Sequence, residues 1–249
     1  MRNLILALFF LSFTTSTFAF ENDNDKDKGK KKKVASPDLP GALLIDIGFN
    51  FLNDNPEELD IGFWGSKTVN FYYYYDIPIG KSGFSFNPGF GLGLDKFSFD
   101  NSVTIVSEIN ADNQQREIVV KQLSELLPNT EIKKTKLAAN YFDIPLELRF
   151  NLNKNNHERG IRFAVGGKVG FLLKSHTKIK YKEDGDVKIS KQKENFGLNK
   201  IRYGAHARIG IGGFGFYGYY SLSELFQSNE GPLQTTTAPL NFGITFAGF

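Results

Sequence analysis

From residue 41 onward, apolar side chains recur at every second position, and a period of two admits β-strands while excluding amphipathic helices. In 41–52, Leu43, Ile45, Ile47, Phe49 and Phe51 alternate with Leu44, Asp46, Gly48, Asn50 and Leu52. In 69–77, Val69, Phe71, Tyr73, Tyr75 and Ile77 face away from Asn70, Tyr72, Tyr74 and Asp76. The rule holds in 84–95 (Phe84, Phe86, Phe90, Leu92, Leu94), 141–152 (Phe142 to Leu152 in steps of two) and 161–173 (Ile161, Phe163, Val165, Val169, Phe171, Leu173). It continues in 201–212, in 214–223 through Phe214, Phe216, Tyr220 and Leu222, and in 240–248 through Leu240, Phe242, Ile244 and Phe246. Each segment is about the 9–11 residues that a tilted strand needs to cross a bilayer. One face is aliphatic and aromatic; the other mixes glycine, tyrosine, asparagine and charge.

Alternation alone fits two architectures. A soluble, lipocalin-like barrel turns its apolar face inward around a ligand, and an outer-membrane barrel turns it outward to lipid. Connection lengths separate them. The gaps run long, short, long, short, long, short, long: 53–66, 96–138, 174–199 and 224–237 are long, whereas 78–83, 153–160 and 213 are short. With the N-terminus in the periplasm, every long connection falls outside the cell, which is the asymmetry of outer-membrane barrels. The chain also closes on NFGITFAGF, with Phe249 out of phase with Phe242, Ile244 and Phe246. The expectation is an all-β fold: a closed, antiparallel up-and-down transmembrane β-barrel of about eight strands over 41–249.

The N-terminus supplies the route. Arg2, the apolar run Leu4 to Phe13, and small Thr17 and Ala19 before Phe20 lay out a secretory signal peptide over 1–19. The apolar run is half of what a transmembrane helix needs. Residues 20–40 carry Lys30 to Lys33 and, after Phe20, no aromatic residue, and read as a charged, disordered linker in the periplasm. No cysteine occurs, which excludes a disulfide-stapled scaffold. Taking Arg2 off the 30 Lys+Arg leaves 29 against 27 Asp+Glu, a balance that points to no nucleic acid. The expected partners are outer-membrane lipid, the barrel-assembly machinery, and a protein met through the extracellular loops.

On the polar face, Asp143, Glu147, Arg149, Arg162, Lys168, Arg202 and Arg208 sit on strands consecutive in sequence. An eight-stranded barrel is just wide enough for side chains to fill, and buried charge must be paired. These seven are therefore expected to form a packed ionic plug. His157, His176 and His206 form no ligand cluster in sequence, so no metal is expected, and His206 has no serine beside it for lipid-modifying chemistry. Gly210-Ile-Gly-Gly-Phe-Gly215 fits G-x-G-x-x-G, but a strand pattern follows it where a dinucleotide site needs a helix. No cofactor and no catalytic residue are expected.

The segment Tyr141-Phe-Asp-Ile-Pro-Leu-Glu-Leu-Arg-Phe150 resembles the Tyr-x-x-Ile-Pro-Leu-x-Leu strand of the PorT-like outer-membrane β-barrel family, matching at Tyr141, Ile144, Pro145, Leu146 and Leu148. The resemblance implies an outer-membrane location; one branch of that family is an accessory of a Gram-negative protein-secretion system. Pro145 is at odds with a closed barrel, because proline cannot donate to a ladder and belongs at edges or bulges. Two functions stand: a non-enzymatic envelope or secretion accessory acting through its loops, and a barrel passing a small solute or lipophile. A lipid-modifying enzyme is a distant third. Within the third long connection, Ile179 and Tyr181 mirror Val187 and Ile189 across Asp184-Gly185. That pattern predicts a hairpin over 178–193 standing clear of the membrane, and its lysines make it the candidate for contact with an anionic surface or partner.

Overall fold

The computed structural model describes residues 41–112, 114–153 and 160–248. The expected signal peptide and linker, His157 and Phe249 lie outside them. Twelve strands follow in chain order: β1 (Gly41–Asn53), β2 (Lys67–Tyr75), β3 (Ile77–Pro78), β4 (Phe84–Phe99), β5 (Val103–Ile109), β6 (Arg116–Gln122), β7 (Glu131–Asn151), β8 (Ile161–Glu183), β9 (Asp186–Gln192), β10 (Ile201–Ile211), β11 (Phe214–Ser221) and β12 (Ala238–Gly248). Eight of them pair antiparallel in a ring, β1-β2-β4-β7-β8-β10-β11-β12 and back to β1. This is the eight-stranded up-and-down barrel that the alternation predicts. β5 and β6 form a separate hairpin, and β9 extends β8.

The two faces sort by polarity. Phe71, Phe90, Leu146, Val165, Phe171, Ile209, Phe216 and Phe242 stand exposed on the outside, while Asp46, Asn70, Asp95, Asp143, Glu147 and Asn241 are buried inside. A soluble protein does not expose so continuous an apolar surface; a band of it around a barrel is the signature of lipid contact. At one rim, Phe63 and Trp64 of the first long connection fold back on the wall, Phe63 stacking on Phe49 at 4.4 Å between ring centroids. Aromatic rings of this kind belong at the membrane–water interface. No helix among the described residues is long and apolar enough to cross a membrane.

Three sequence expectations need correcting. The long connections are shorter than the apolar pattern suggests, because β4, β7 and β8 run on past the lipid band to Phe99, back to Glu131 and on to Glu183. Those extensions carry charge on their outer side, so the apolar alternation fades while the ladder continues. The hairpin does form around Asp184-Gly185, both at positive φ (51° and 92°), but Glu183 faces Asp186. The register therefore pairs Lys182 with Val187 and Lys180 with Ile189, one residue off the expected mirror. Nor is the whole hairpin separate from the wall, because Lys178–Lys182 pair with Glu131–Lys136 of β7 beyond the lipid band.

Two local irregularities matter later. In the β7–β8 ladder Asn140 pairs with Lys174 but Tyr141 with Leu172, so Leu173 is an extra residue on β8. Such a bulge flips which side chains face out: below it Val169 and Phe171 face lipid, and above it Ser175 and Thr177 turn inward and Lys174 and His176 outward. The second irregularity explains Pro145. The β4–β7 ladder runs from Phe84–Phe150 to Pro88–Leu146 and resumes at Gly91–Asp143, skipping the two positions opposite Ile144 and Pro145. Pro145 thus lies at an interruption within the ring, next to a second proline on the facing strand.

Leu146 is 47 % exposed on the lipid side. Leu146→Arg is expected to destabilise the inserted barrel by about 2–4 kcal/mol, read as loss of the heat-modifiable band and a lower urea midpoint in detergent or lipid. Unchanged assembly would place lipid on the other face.

Candidate functional site

The ring brings the polar face together in rows that run across neighbouring strands. Asp143 on β7 pairs with Gly170 on β8, and Gly170 pairs with Arg202 on β10. Two rows lower down the strands, past Pro145, Lys168 and Gly204, Glu147, Gly166 and His206 align in the same way, and next to them Arg149, Ala164 and Arg208. Each of these three rows sets a glycine or alanine of β8 between two polar partners, so the long side chains of β7 and β10 meet over it. The fit is tight: a Cβ on Gly93 would fall 2.6 Å from Asp143 Oδ2, and on Gly170 2.9 Å from Arg202 Nε.

Two linked clusters fill the lumen. Nearer the long connections, the Arg202 guanidinium grips Asp143 through Nη2–Oδ2 at 2.8 Å and Nε–Oδ1 at 3.2 Å, and its Nη1 donates to Asp95. Lys168 Nζ stands 3.3 Å from Asp143 Oδ2, which also accepts the Tyr72 hydroxyl at 2.6 Å. Lys168 lies 3.9 Å over the Tyr219 ring and Arg202 3.9 Å over that of Tyr141, so cation–π contact adds to the pairing. Nearer the short turns, Glu147 Oε1 receives Arg208 Nε at 2.8 Å and His206 Nε2 at 2.9 Å, and Oε2 receives Arg149 Nε at 2.9 Å. Arg208 reaches across to Asp46 on β1, with Nη2–Oδ2 at 2.9 Å. The four carboxylates and the four cations Arg149, Lys168, Arg202 and Arg208 balance. Between Tyr72, Tyr74, Pro145 and Lys168 lies a void of about 10 Å³, at or below the room one water needs, and one of about 50 Å³ opens at the short-turn end beside Arg149 and Arg208.

Of the seven charges singled out in sequence, six meet here. Arg162 sits at the short-turn end, where it donates to the Gly212 carbonyl. Sequence reasoning missed Asp46, Asp95 and the tyrosines 72, 74, 217 and 219 as members. Asp46 and Asp95 occupy the polar phase of their strands, but only ring closure brings β1 and β4 within reach of β10. Tyr141 and Pro145 face the lumen, while Ile144, Leu146 and Leu148 face lipid. His206 has Glu147 as its partner, and no group of three or more histidine and carboxylate side chains able to hold a metal occurs among the described residues. Gly212, at φ 58°, turns β10 into β11, so the glycine-rich run makes a tight turn between two strands.

Above the plug, the long connections fold into a cap with its own apolar core. Leu59, Phe97, Phe99, Val103, Ile105, Leu137, Phe196, Leu198 and Phe226 are buried together, and Ile118 and Val120 of β6 pack against them. A groove of about 690 Å³ opens on the cap, between β6 and the segments around Asn195 and Glu230. An ion pair, Arg116 to Glu194 at 2.6 Å, ties β6 to the third connection beside it.

Glu147→Ala removes one acid from three bases at once. Stranding buried charge in this way costs about 3–5 kcal/mol, so the variant is expected to unfold at lower temperature and urea, measured by heat-modifiable migration in detergent gels. Gly93→Val, which forces a side chain against the Asp143–Arg202 pair, is expected to cost about 1–3 kcal/mol in the same assay.

Comparison with known proteins places this architecture. Two solved mutants of the Rhodopseudomonas blastica porin align with 84 % of this chain and 99 % of their own, at 11 % and 10 % identity and a TM-score of 0.20 in each case. At that score the likeness carries no weight beside the strand ring itself. No curated protein matches the chain. The sequence model of the outer membrane protein beta-barrel domain matches residues 6–227, most of the chain, and the ring of strands, the apolar outer band and the charged interior agree with it. The chain belongs to the outer membrane protein beta-barrel domain family.

Proposed function

We propose that this barrel is a non-enzymatic outer-membrane platform: residues 1–19 export it, 20–40 remain in the periplasm, and the cap presents a folded surface outside the cell to a protein partner. The observation that carries this reading is double closure. The lumen is filled by paired charge, and an apolar core lies over its long-loop end. A conduit needs neither. Loops that merely joined strands would have no reason to bury Leu59, Phe196 and Phe226; a core of that kind holds a surface in one shape, as recognition requires. The groove beside β6 is the concave part of that surface. The Tyr141–Leu148 motif supports the finer proposal of an envelope or protein-secretion accessory of the PorT-like kind.

The test has two arms. In planar bilayers the intact chain is expected to give no unitary ion conductance, and in intact cells a photo-crosslinker at Gln227 or Ile118 is expected to capture one protein that a crosslinker at Leu148 does not. Stepwise conductance, or solute uptake dependent on the chain, would favour a transport barrel instead. Capture from Leu148 but not from the cap would move the contact to the lipid face.

A further inference from the structure

Above the lipid band, the outside of one side of the wall is an array of lysines facing lysines. Lys67 of β2 stands directly opposite Lys96 of β4, and Lys136 of β7 opposite Lys178 of β8. Lys178 in turn faces Lys191 of β9, and Lys134 faces Lys180. Like charges directly across a ladder repel, and here four such pairs adjoin. None of these lysines forms an ion pair among the described residues, and the outward positions they occupy on β2, β4, β7 and β8 include no carboxylate. Two acids border the array: Glu131, opposite Lys182 and bonded to Lys133, and Asp100, which lines a cavity together with Lys134. Burial, and then the neighbouring Lys134, Lys96 and Lys178, push the Lys136 ammonium down to about 8; burial and the surrounding lysines lower His176 as well.

Protection of an exposed sheet edge is the ordinary use of such lysines, but β2, β4 and β7 are interior strands with partners on both sides. The position of the array says more. On β4 the lipid-facing series Phe90, Leu92, Leu94 ends in Lys96; on β2 the series Tyr73, Phe71, Val69 ends in Lys67. On β8 the Leu173 bulge turns Lys174, His176, Lys178 and Lys180 outward where Val169 and Phe171 had faced lipid. The array therefore begins where the hydrocarbon ends, at head-group depth, on the long-loop side that outer-membrane barrels turn to the cell exterior. On the neighbouring β1 the same rim carries Phe63 and Trp64 against Phe49.

We propose that this lysine face is a binding site for the phosphate groups of the outer leaflet's glycolipid, a diphosphorylated lipid A, whose acyl chains lie along Leu92, Leu94 and Phe171 below. The proposal rests on the outer-membrane reading of the barrel. Phosphates set between facing ammonium groups convert the cross-strand repulsion into bridging attraction, and acyl chains tethered to them satisfy the apolar strip beneath. A soluble anion would supply only the first of these, and the siting of the lysines against that strip selects the lipid.

The full mature chain in neutral detergent is mixed with diphosphoryl lipid A, with chemically dephosphorylated lipid A, or with inorganic pyrophosphate, and retention is read by native mass spectrometry. Diphosphoryl lipid A is expected to stay bound and the other two to be lost. Lys96→Gln/Lys136→Gln/Lys178→Gln is expected to weaken retention on the order of a hundredfold, and arginine at the same three positions to preserve it. Equal retention by the glutamine variant, equal retention of dephosphorylated lipid, or pyrophosphate binding as tight as the lipid's would each overturn the site. Both variants are first checked for heat-modifiable migration. If the wild-type chain itself fails that check and stays out of membranes, the barrel reading falls; if it inserts and retains no lipid A, only the lysine site does.

Discussion

A charge that leaves water for the interior of a narrow barrel has to find its counter-charge within a few ångströms, and the Asp143–Arg202 contact shows what that demands of everything around it. Arg202 has two acids to hold, Asp143 at 2.8 Å and Asp95, and they come from different strands. Meeting both requires β4, β7 and β10 to sit in fixed register around the ring. It requires Gly93 and Gly170 at the points of closest approach, and tyrosines with apolar rings and polar tips to fill what the ions leave. Breaking such a set is far costlier than its formation is favourable. Its contribution is therefore less to raw stability than to register: a strand that slipped by one residue would turn Asp143 or Arg202 into hydrocarbon.

The same argument divides labour between the two faces. The outer side stabilises by contact with lipid and tolerates exchange of one apolar residue for another. The inner side is specified pair by pair. Cap and plug then act in series, the one dry and apolar, the other ionic, so that a molecule entering from the long-loop end meets a hydrophobic core before it meets charge.

How much of this could be read from the chain follows from what periodicity registers. Strands bathed in lipid on one side and packed with polar groups on the other give the cleanest period-two signal, and all eight wall strands were visible through residues such as Phe84, Phe86 and Phe90. Where Lys134, Lys136, Lys178 and Lys180 take over the outer face, no apolar series remains, and the upper wall read as loop. The hairpin register was missed by one position because a two-residue turn at positive φ sets Glu183 against Asp186. The cap was illegible for a different reason: Leu59, Val103, Phe196 and Phe226 are scattered apolar residues without spacing, and only the closed ring gathers them. Six of the eight lumen charges were found from their phase alone. Asp46 and Asp95 shared that phase, but their partners come from strands far away in sequence.

The neighbouring prolines of β4 and β7, Pro88 and Pro145, give the cylinder a crease. The ladder to β7 skips the positions opposite Ile144 and Pro145, and on the other side of β4 pairing passes from Tyr74–Gly89 to Ile77–Phe86 without Asn87 and Pro88, so the wall has lost rungs on both sides of β4. Rungs resist shear between strands, so bending and ovalisation of the barrel concentrate along that stretch of β4. The crease runs at the level of the Lys168 row, between Asp143 above and Glu147 below. It separates the two ionic clusters mechanically, and a distortion of the barrel mouth is absorbed before it reaches the grip of Arg208 on Asp46.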